Sequence, residues 1–346
     1  MTVTASAPTR VDLAGGTVDI WPLYLFHPGA QTVNAAIGLR AHVRLDRRDD
    51  DQVALVSEDL GLRSGPMPAA HVAADTTLPL LARLVDAFGV RGVTVTTRSD
   101  APAGAGIAGS SALNIAVTCA LNRWTDRAMS DEALLEIAKN VEAQVIQVPT
   151  GLQDYRPALY GGIAALELGV EGAVRVPLAV DAAALDRHLV VCYTGAPRQS
   201  GINNWEMTKR RIDRDPVVVA GFDAIVRATA AMRAALERDD WPAAGTALAE
   251  EWRARTRLAP AVTTPRIDDL LAEAVAAGAW AGKVCGAGGG GCVFCLAPPG
   301  RTDAIRRRWQ AAGASLLDAP VEPEGVRVDG QRPDARFIRP DGGLSE

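Results

Sequence analysis

The chain has 346 residues, 48% of them hydrophobic, enough for one large or two ordinary domains around buried cores. Its formal net charge of −5 comes from acidic and basic residues interspersed along the whole length, so no basic stripe exists to follow a phosphate backbone; this speaks against nucleic acid as a partner. No apolar run reaches the ~18 residues that a membrane span needs, and "MTVTASAPTRVDLAGG" lacks a basic and then apolar leader, so a cytoplasmic protein without a membrane partner is expected.

Residues 1–55 alternate apolar and polar positions and are predicted as strands joined by turns. "DTTLPLLARLVDAFG" follows as a helix with Leu80, Leu81, Leu84, Val85 and Phe88 on one face. "GVTVTTRSDAP" is predicted as a strand, "PAGAGIAGSSAL" as a glycine-rich loop, and "SSALNIAVTCALNRW" as the helix leaving it. "SDEALLEIAKNVEAQVI" begins with Ser130 as N-cap and carries Asp131 and Glu132 in its first turn, where the helix dipole favours them. It stops before Pro149. Strands are expected at "GGIAALELG" and "HLVVCYTG", after which the chain becomes helix-rich. A second glycine cluster, "GKVCGAGGGGCVFCL", an arginine-rich helix and a strand near "EGVRV" complete it. The shift near residue 185 divides the chain into 1–185 and 186–328, and 329–346 reads as a frayed tail.

Five cysteines, an odd number without a secretory leader, read as free thiols. Cys292 and Cys295 form a C-x-x-C, but within a predicted buried strand they point to opposite faces, as two small core residues do. His27, His42, His71 and His188 stand apart with no metal-ligand spacing.

The glycine loop asks what comes so close to the backbone that side chains are excluded. Glycines that gather N–H groups at a helix N-terminus make an anion site, with phosphate as the natural guest; the bland reading is a structural turn. Ser110 and Ser111 either cap the helix or meet a metal on the phosphates. No lysine follows Gly109, so the P-loop pattern fails. "GAGIAG" fits the dinucleotide fingerprint only literally, because helix exit and turn stand where a second strand with its acidic residue is needed.

"PAGAGIAGSSA" resembles the central motif of the GHMP kinases, with Ile107 in place of leucine and one extra residue before the serines. "APTRVDLAGGTVDI" is similar to that family's N-terminal substrate motif, "VEAQVIQVPTGLQDYRPALYGGI" to its catalytic segment, and "GKVCGAGGGGCVFC" to its C-terminal glycine motif. "YTGAPRQSG" and the stretch from "LAEEWRARTRL" to "AGK" resemble the heptose 7-phosphate kinase and L-fucose kinase branch.

The resemblance implies an α+β fold with an N-terminal half like ribosomal protein S5 domain 2 and a ferredoxin-like C-terminal half. It implies transfer of the γ-phosphoryl of MgATP to a hydroxyl, anomeric by expectation, of a sugar or sugar phosphate, and it leaves the oligomeric state open. The nucleotide would meet Pro102, Gly104, Ala105, Gly106, Ile107, Ala108, Gly109, Ser110 and Ser111. Ser111 and Glu142 would hold Mg²⁺, and Asp154 would act as base or orienting group beside Arg10. Gly16, Thr17, Asp19, Gly151, Gly288 and Gly289 would meet the acceptor, Asp19 by gripping two vicinal hydroxyls. Read singly, Ser111 caps a helix, Glu142 is solvated and Arg10 is a surface ion-pair residue; the register reverses those readings. Gly16 and Thr17 stand where galactokinase carries Glu-His, which disfavours galactose. Trp21, Tyr24 and His27 either stack on a sugar ring or belong to the core. The rivals are an isoprenoid-branch kinase or decarboxylase and a silent sugar sensor; "RVDLAGG" and "GLQDY" speak for sugars, and the four retained residues for catalysis.

Overall fold

The structure, a computed structural model, describes residues 2–198 and 200–330. The first part of the chain forms β1 (Thr2–Ala14), β2 (Gln31–Arg47), β3 (Gln52–Ser57), β4 (Leu62–Pro68), α1 (Pro79–Ala87), β5 (Val93–Ser99), α2 (Gly109–Thr125) and α3 (Asp131–Ile146). Next come α4 (Tyr155–Tyr160), β6 (Ile163–Gly169), β7 (Gly172–Pro177), α5 (Ala182–His188), β8 (Leu189–Tyr193), α6 (Ser200–Ile212), α7 (Pro216–Glu237) and α8 (Trp241–Arg255). The last are α9 (Pro265–Ala276), β9 (Ala281–Val284), β10 (Cys292–Leu296), α10 (Thr302–Ala311), β11 (Ser315–Leu317) and β12 (Arg327–Gly330).

The larger sheet has eight strands in the order β12-β1-β2-β5-β3-β4, with β6 pairing β2 and β7 pairing β6. Its pairs are antiparallel except β3 with β5, which run parallel through a crossover containing β4 and α1. The smaller sheet is antiparallel, in the order β11-β8-β10-β9. This is the α+β arrangement expected.

Three apolar clusters position the layers. Leu81, Leu84 and Val85 of α1 and Leu121 of α2 pack with Val93 and Val95 on the larger sheet. Ile267 and Leu270 of α9, with Ile305 and Trp309 of α10, cover one face of the smaller sheet. Between the sheets, Val11, Leu13 and Val33 meet Met232 of α7, Leu248 of α8 and Phe294 of β10. That last cluster joins the halves through packed side chains. Cys292 belongs to it and Cys295 to the cluster on the other face, so the C-x-x-C straddles the strand as read; all five thiols are free and buried.

Several boundaries differ from those predicted. The first helix begins at Pro79, because Asp75 accepts hydrogen bonds from the amides of Thr77 (3.1 Å) and Leu78 (2.7 Å), making a turn of the residues before it. Strands β4, β7 and β11 and helices α5 and α6 stand where no element is predicted from the sequence. β7 turns back on β6 through Val170 and Glu171, with Gly169 opposite Gly172. Near residue 185 the chain passes from the larger sheet to the smaller, but it returns, since β12 pairs with β1. Asp329 and Gly330, expected to open the frayed tail, therefore lie in the sheet; residues 331–346 lie outside the described residues.

Candidate active site

Residues 100–108 join β5 to α2 as the loop read from the sequence. Gly104 and Gly106 have φ of +69° and +77°, backbone in which a Cβ is strained. The carbonyls from Gly104 to Ile107 are all taken by protein donors: in order, Arg198 N (3.0 Å), Cys292 N (2.6 Å), Arg10 Nη1 (3.1 Å) and Arg10 N (3.0 Å). The amides of residues 106–111 have no partner among the described residues, and no side chain caps α2. Free amides at an uncapped helix N-terminus attract an anion.

Neither serine is used as a cap. Ser110 donates to Glu142 Oε1 (2.8 Å) and Ser111 to Glu142 Oε2 (3.1 Å), while the Tyr155 hydroxyl donates to the same Oε2 (2.8 Å). Burial and the neighbouring carboxylate of Glu142 raise the Tyr155 pKa, so its proton stays in that bond. Glu142 lies on α3, 7% exposed, and among the described residues no cation pairs with it. A buried carboxylate ringed by hydroxyls is a hard-oxygen set, which fits Mg²⁺. No group of three His, Cys, Asp or Glu is found among the described residues, so most of an ion's shell at Glu142 would have to come from phosphate or water.

Arg10 is 2% exposed and joins three of the motifs. Its Nε and Nη2 donate to Asp154 Oδ1 (2.9 and 2.6 Å), and Nη1 donates to the carbonyls of Gly106 (3.1 Å) and Cys285 (2.8 Å). Burial lowers its pKa, but Asp154 and then Asp12 outweigh that, so the guanidinium stays charged. Both bonds fall on one carboxylate oxygen, and Asp154 Oδ2 has no partner among the described residues. Asp154 precedes α4 but does not cap it, so its second oxygen remains for a ligand.

Asp19 is 1% exposed, and its Oδ2 accepts from the amides of Leu152 (2.6 Å) and Gln153 (2.9 Å). Oδ1, with no partner among the described residues, remains to accept from hydroxyls of an acceptor. A Cβ at Gly151 would collide with this carboxylate, so Gly151 acts through close approach. Burial, then the charge of Asp154, push the Asp19 carboxyl up to about 6 against the two amides that lower it. The native carboxyl thus holds its proton more tightly than the unfolded chain does. Its contribution to stability is full below the ordinary value of 3.8 and is lost as pH rises through about 6. Asp19→Asn keeps an acceptor for both amides and never ionises; its melting temperature should vary less with pH across that window than the wild type's. An unchanged pH profile would assign the titration to another group.

Gly16 and Thr17 are held from behind. Arg255 of α8 donates to the Gly16 carbonyl (2.7 Å) and to Thr17 Oγ1 (3.2 Å), and Nε donates to Glu251 Oε1 (2.9 Å). Lys283 of β9 donates to Asp12 Oδ2 (3.2 Å) and to Glu251 Oε1 (3.1 Å). These four charged groups are buried, and Asp12 Oδ1 and Glu251 Oε2 have no hydrogen-bond partner among the described residues.

One cavity gathers the sequence-derived residues Arg10, Gly16, Thr17, Asp19, Ser110, Ser111, Glu142, Gly151 and Asp154. Pro102, Gly104, Ala105, Gly106, Ile107, Ala108 and Gly109 shape the loop behind it. Gly288 and Gly289 do not line it: a Cβ at Gly288 would strike the Val262 backbone, and Gly289 N donates to the Val262 carbonyl (3.0 Å). Gly286 and Ala287 take that place. Also missed were Asp12, Gln153, Tyr155, Arg198 and Asn204. Asp12, Gln153, Tyr155 and Arg198 lie within stretches already singled out and were within reach of sequence reasoning; Asn204 lies outside them. Of the aromatics, Trp21 is exposed and His27 is structural, bonded to Asp223 (2.7 Å) and Arg211 (2.8 Å).

Two family models match the chain, "GHMP kinases N terminal domain" over residues 75–162 and "GHMP kinases C terminal" over residues 232–315. A D-glycero-alpha-D-manno-heptose 7-phosphate kinase of Campylobacter jejuni is 26% identical over 336 residues, covering 94% of this chain and 98% of that protein. A mevalonate kinase of Pyrococcus abyssi is 25% identical over 350 residues, with 94% and 98% covered. The crystal structure of a D-glycero-D-manno-heptose 1-phosphate kinase from Bacteroides thetaiotaomicron superposes with a TM-score of 0.76 at 20% identity, covering 95% of this chain and 99% of that one.

Proposed function

This chain belongs to the GHMP kinases, and from that premise we propose that it transfers the γ-phosphoryl group of ATP to a hydroxyl, the anomeric one, of a sugar or sugar phosphate of the heptose 7-phosphate type. One observation carries the reading: Asp154, paired to Arg10 through a single oxygen, shares a cavity with the Glu142 cluster at the mouth of the uncapped loop.

The free amides of the loop would receive the triphosphate, and Ser111 and Glu142 would hold Mg²⁺. When bound there, the ion supplies neutralisation of charge on the phosphates. Asp154 Oδ2 orients the acceptor hydroxyl and takes its proton as the new O–P bond forms and the bond from the γ-phosphorus to the bridging oxygen of ADP breaks. Arg10 holds the carboxylate in place through its two hydrogen bonds to Oδ1. Asp12, Thr17, Asp19, Gln153 and Asn204 surround the acceptor with hydrogen-bonding groups, which suits a polyhydroxyl compound better than an apolar acid.

The test is a screen of ADP release over sugars, sugar phosphates, mevalonate and homoserine, with a Mg²⁺ titration. Turnover is expected only with a sugar-type acceptor and only with the ion present. Turnover with mevalonate and no sugar would move the chain to the isoprenoid reading, to which the mevalonate kinase similarity also points.

A further inference from the structure

Arg198, in the segment between β8 and α6, has no assigned part so far. It lines the same cavity, and its backbone amide is pinned to the Gly104 carbonyl (3.0 Å). Its side chain lies across the glycine loop: a Cβ at Gly106 would come within 3.1 Å of Arg198 Cδ, and one at Gly286 would strike the guanidinium. Two motifs from opposite ends of the chain therefore leave room for this one side chain.

Every other cation of the cavity is occupied. Arg10 has its carboxylate and two carbonyls, and Arg255 has Glu251, Gly16 and Thr17. Among the described residues no acceptor takes the guanidinium of Arg198. Burial lowers its pKa; Asp154 opposes this, Arg10 adds to it, and Glu142 opposes it, and the base and the carboxylate of the hydroxyl cluster line the same cavity as Arg198. A half-buried arginine with its donors unfilled, aimed into a cavity beside free backbone amides, is shaped for an anion.

We propose that Arg198 is a catalytic residue that binds the phosphoryl group in transfer, donating to its oxygens as it passes from nucleotide to acceptor. This rests on the phosphoryl-transfer reading above. The shared chemistry is a phosphoryl group, and a cavity shared with Asp154 and Glu142 selects the transferring one over a phosphate already on the acceptor, which would lie away from the attacking hydroxyl.

The test compares ATP and ADP affinities by calorimetry on the full chain, wild type against Arg198→Met and Arg198→Lys, together with kcat and acceptor KM. In Arg198→Met, ATP affinity should fall about ten- to hundredfold while ADP affinity stays within twofold, since hydrogen bonds to charged groups are worth that much. kcat should fall by about 10²–10³-fold, as for loss of a single transition-state donor. Arg198→Lys should be intermediate, and added guanidinium should restore part of the rate to Arg198→Ala. The melting temperature should be unchanged, because no partner among the described residues is lost. Equal loss of ATP and ADP affinity, or no loss, overturns the proposal. A rise confined to the KM of a phosphorylated acceptor places Arg198 on that phosphate instead and also overturns it. A wild type that binds ATP but releases ADP with no sugar defeats the sugar-kinase reading alone, because the ATP-to-ADP ratio still reports on Arg198.

Discussion

Replacing Asp154 by asparagine is expected to lower kcat by about 10²–10⁴-fold, the usual value of general-base assistance, with little change in the KM for ATP. The geometry gives the reason. Arg10 donates twice to Oδ1, at 2.9 and 2.6 Å, so the amide of an asparagine must turn its oxygen toward the guanidinium. Its NH₂ group then faces the acceptor, where it offers hydrogen to an oxygen that has to lose one. In a loose transition state the nucleophile is barely bonded when the barrier is crossed, so the loss reflects orientation and late proton acceptance. Arg10→Ala should lower kcat as well, and the double variant should lose less than the product of the two, because a pair acting as one unit is not additive. Steady-state kinetics on the accepted sugar decides it; near-wild-type kcat in Asp154→Asn, or losses that multiply, would remove Asp154 from this role.

Glu251→Gln is expected to cost about 3–5 kcal/mol of stability, the range for breaking a buried ion pair from one side. Glu251 Oε1 receives Arg255 (2.9 Å from Nε) and Lys283 (3.1 Å), and all three side chains are buried with Asp12 as the fourth charge. Burial raises the Glu251 pKa, but Arg255 and then Lys283 outweigh it and hold it below the ordinary carboxylate range. A depressed carboxyl stabilises above its unfolded pKa, and that stabilisation fades as pH falls through the native value. With glutamine, two buried cations face one anion. The urea midpoint should fall with little change in slope, and the acid-side loss of stability should flatten. Acceptor KM should rise too, since Arg255 holds Gly16 and Thr17. A midpoint within experimental scatter of the wild type would show that the network is not holding the halves together.

How much of this was legible in the sequence follows from what each signal depends on. Ser130 bonds the Ala133 amide (3.4 Å) as a cap, and glycines with positive φ form the loop; both are local features written in a few adjacent residues. The Arg10, Asp154 and Glu142 assignments came from motif register, and they meet in one cavity. The buried charges were not legible. Glu251 and Arg255 stand four apart on α8 and read as a solvated i,i+4 pair, and only the fold brings Asp12 and Lys283, from the two sheets, against them. The role of Arg198 was hidden for a related reason: its meaning lies in lacking a partner among the described residues, which no spacing encodes. The second glycine cluster misled because glycine marks close approach without saying to what; Gly288 meets Val262, not a ligand.

Strand β12 has a consequence for how the protein is made. Val3 is opposite Gly330 and Ser6 opposite Arg327, while Glu322 pairs with Arg40 (3.0 Å) and Val321 bridges to Ile37. Strand β1 therefore waits for residues 327–330 to be made before its outer edge is covered. Domains fold as units during synthesis where their residues are contiguous, and here the sheet that presents Arg10 is not. A nascent chain stopped after residue 320 has made the glycine loop, the base and the hydroxyl cluster, yet carries an open strand edge able to pair with a neighbour. Translation past that point is what closes the edge and lets the first half of the molecule settle.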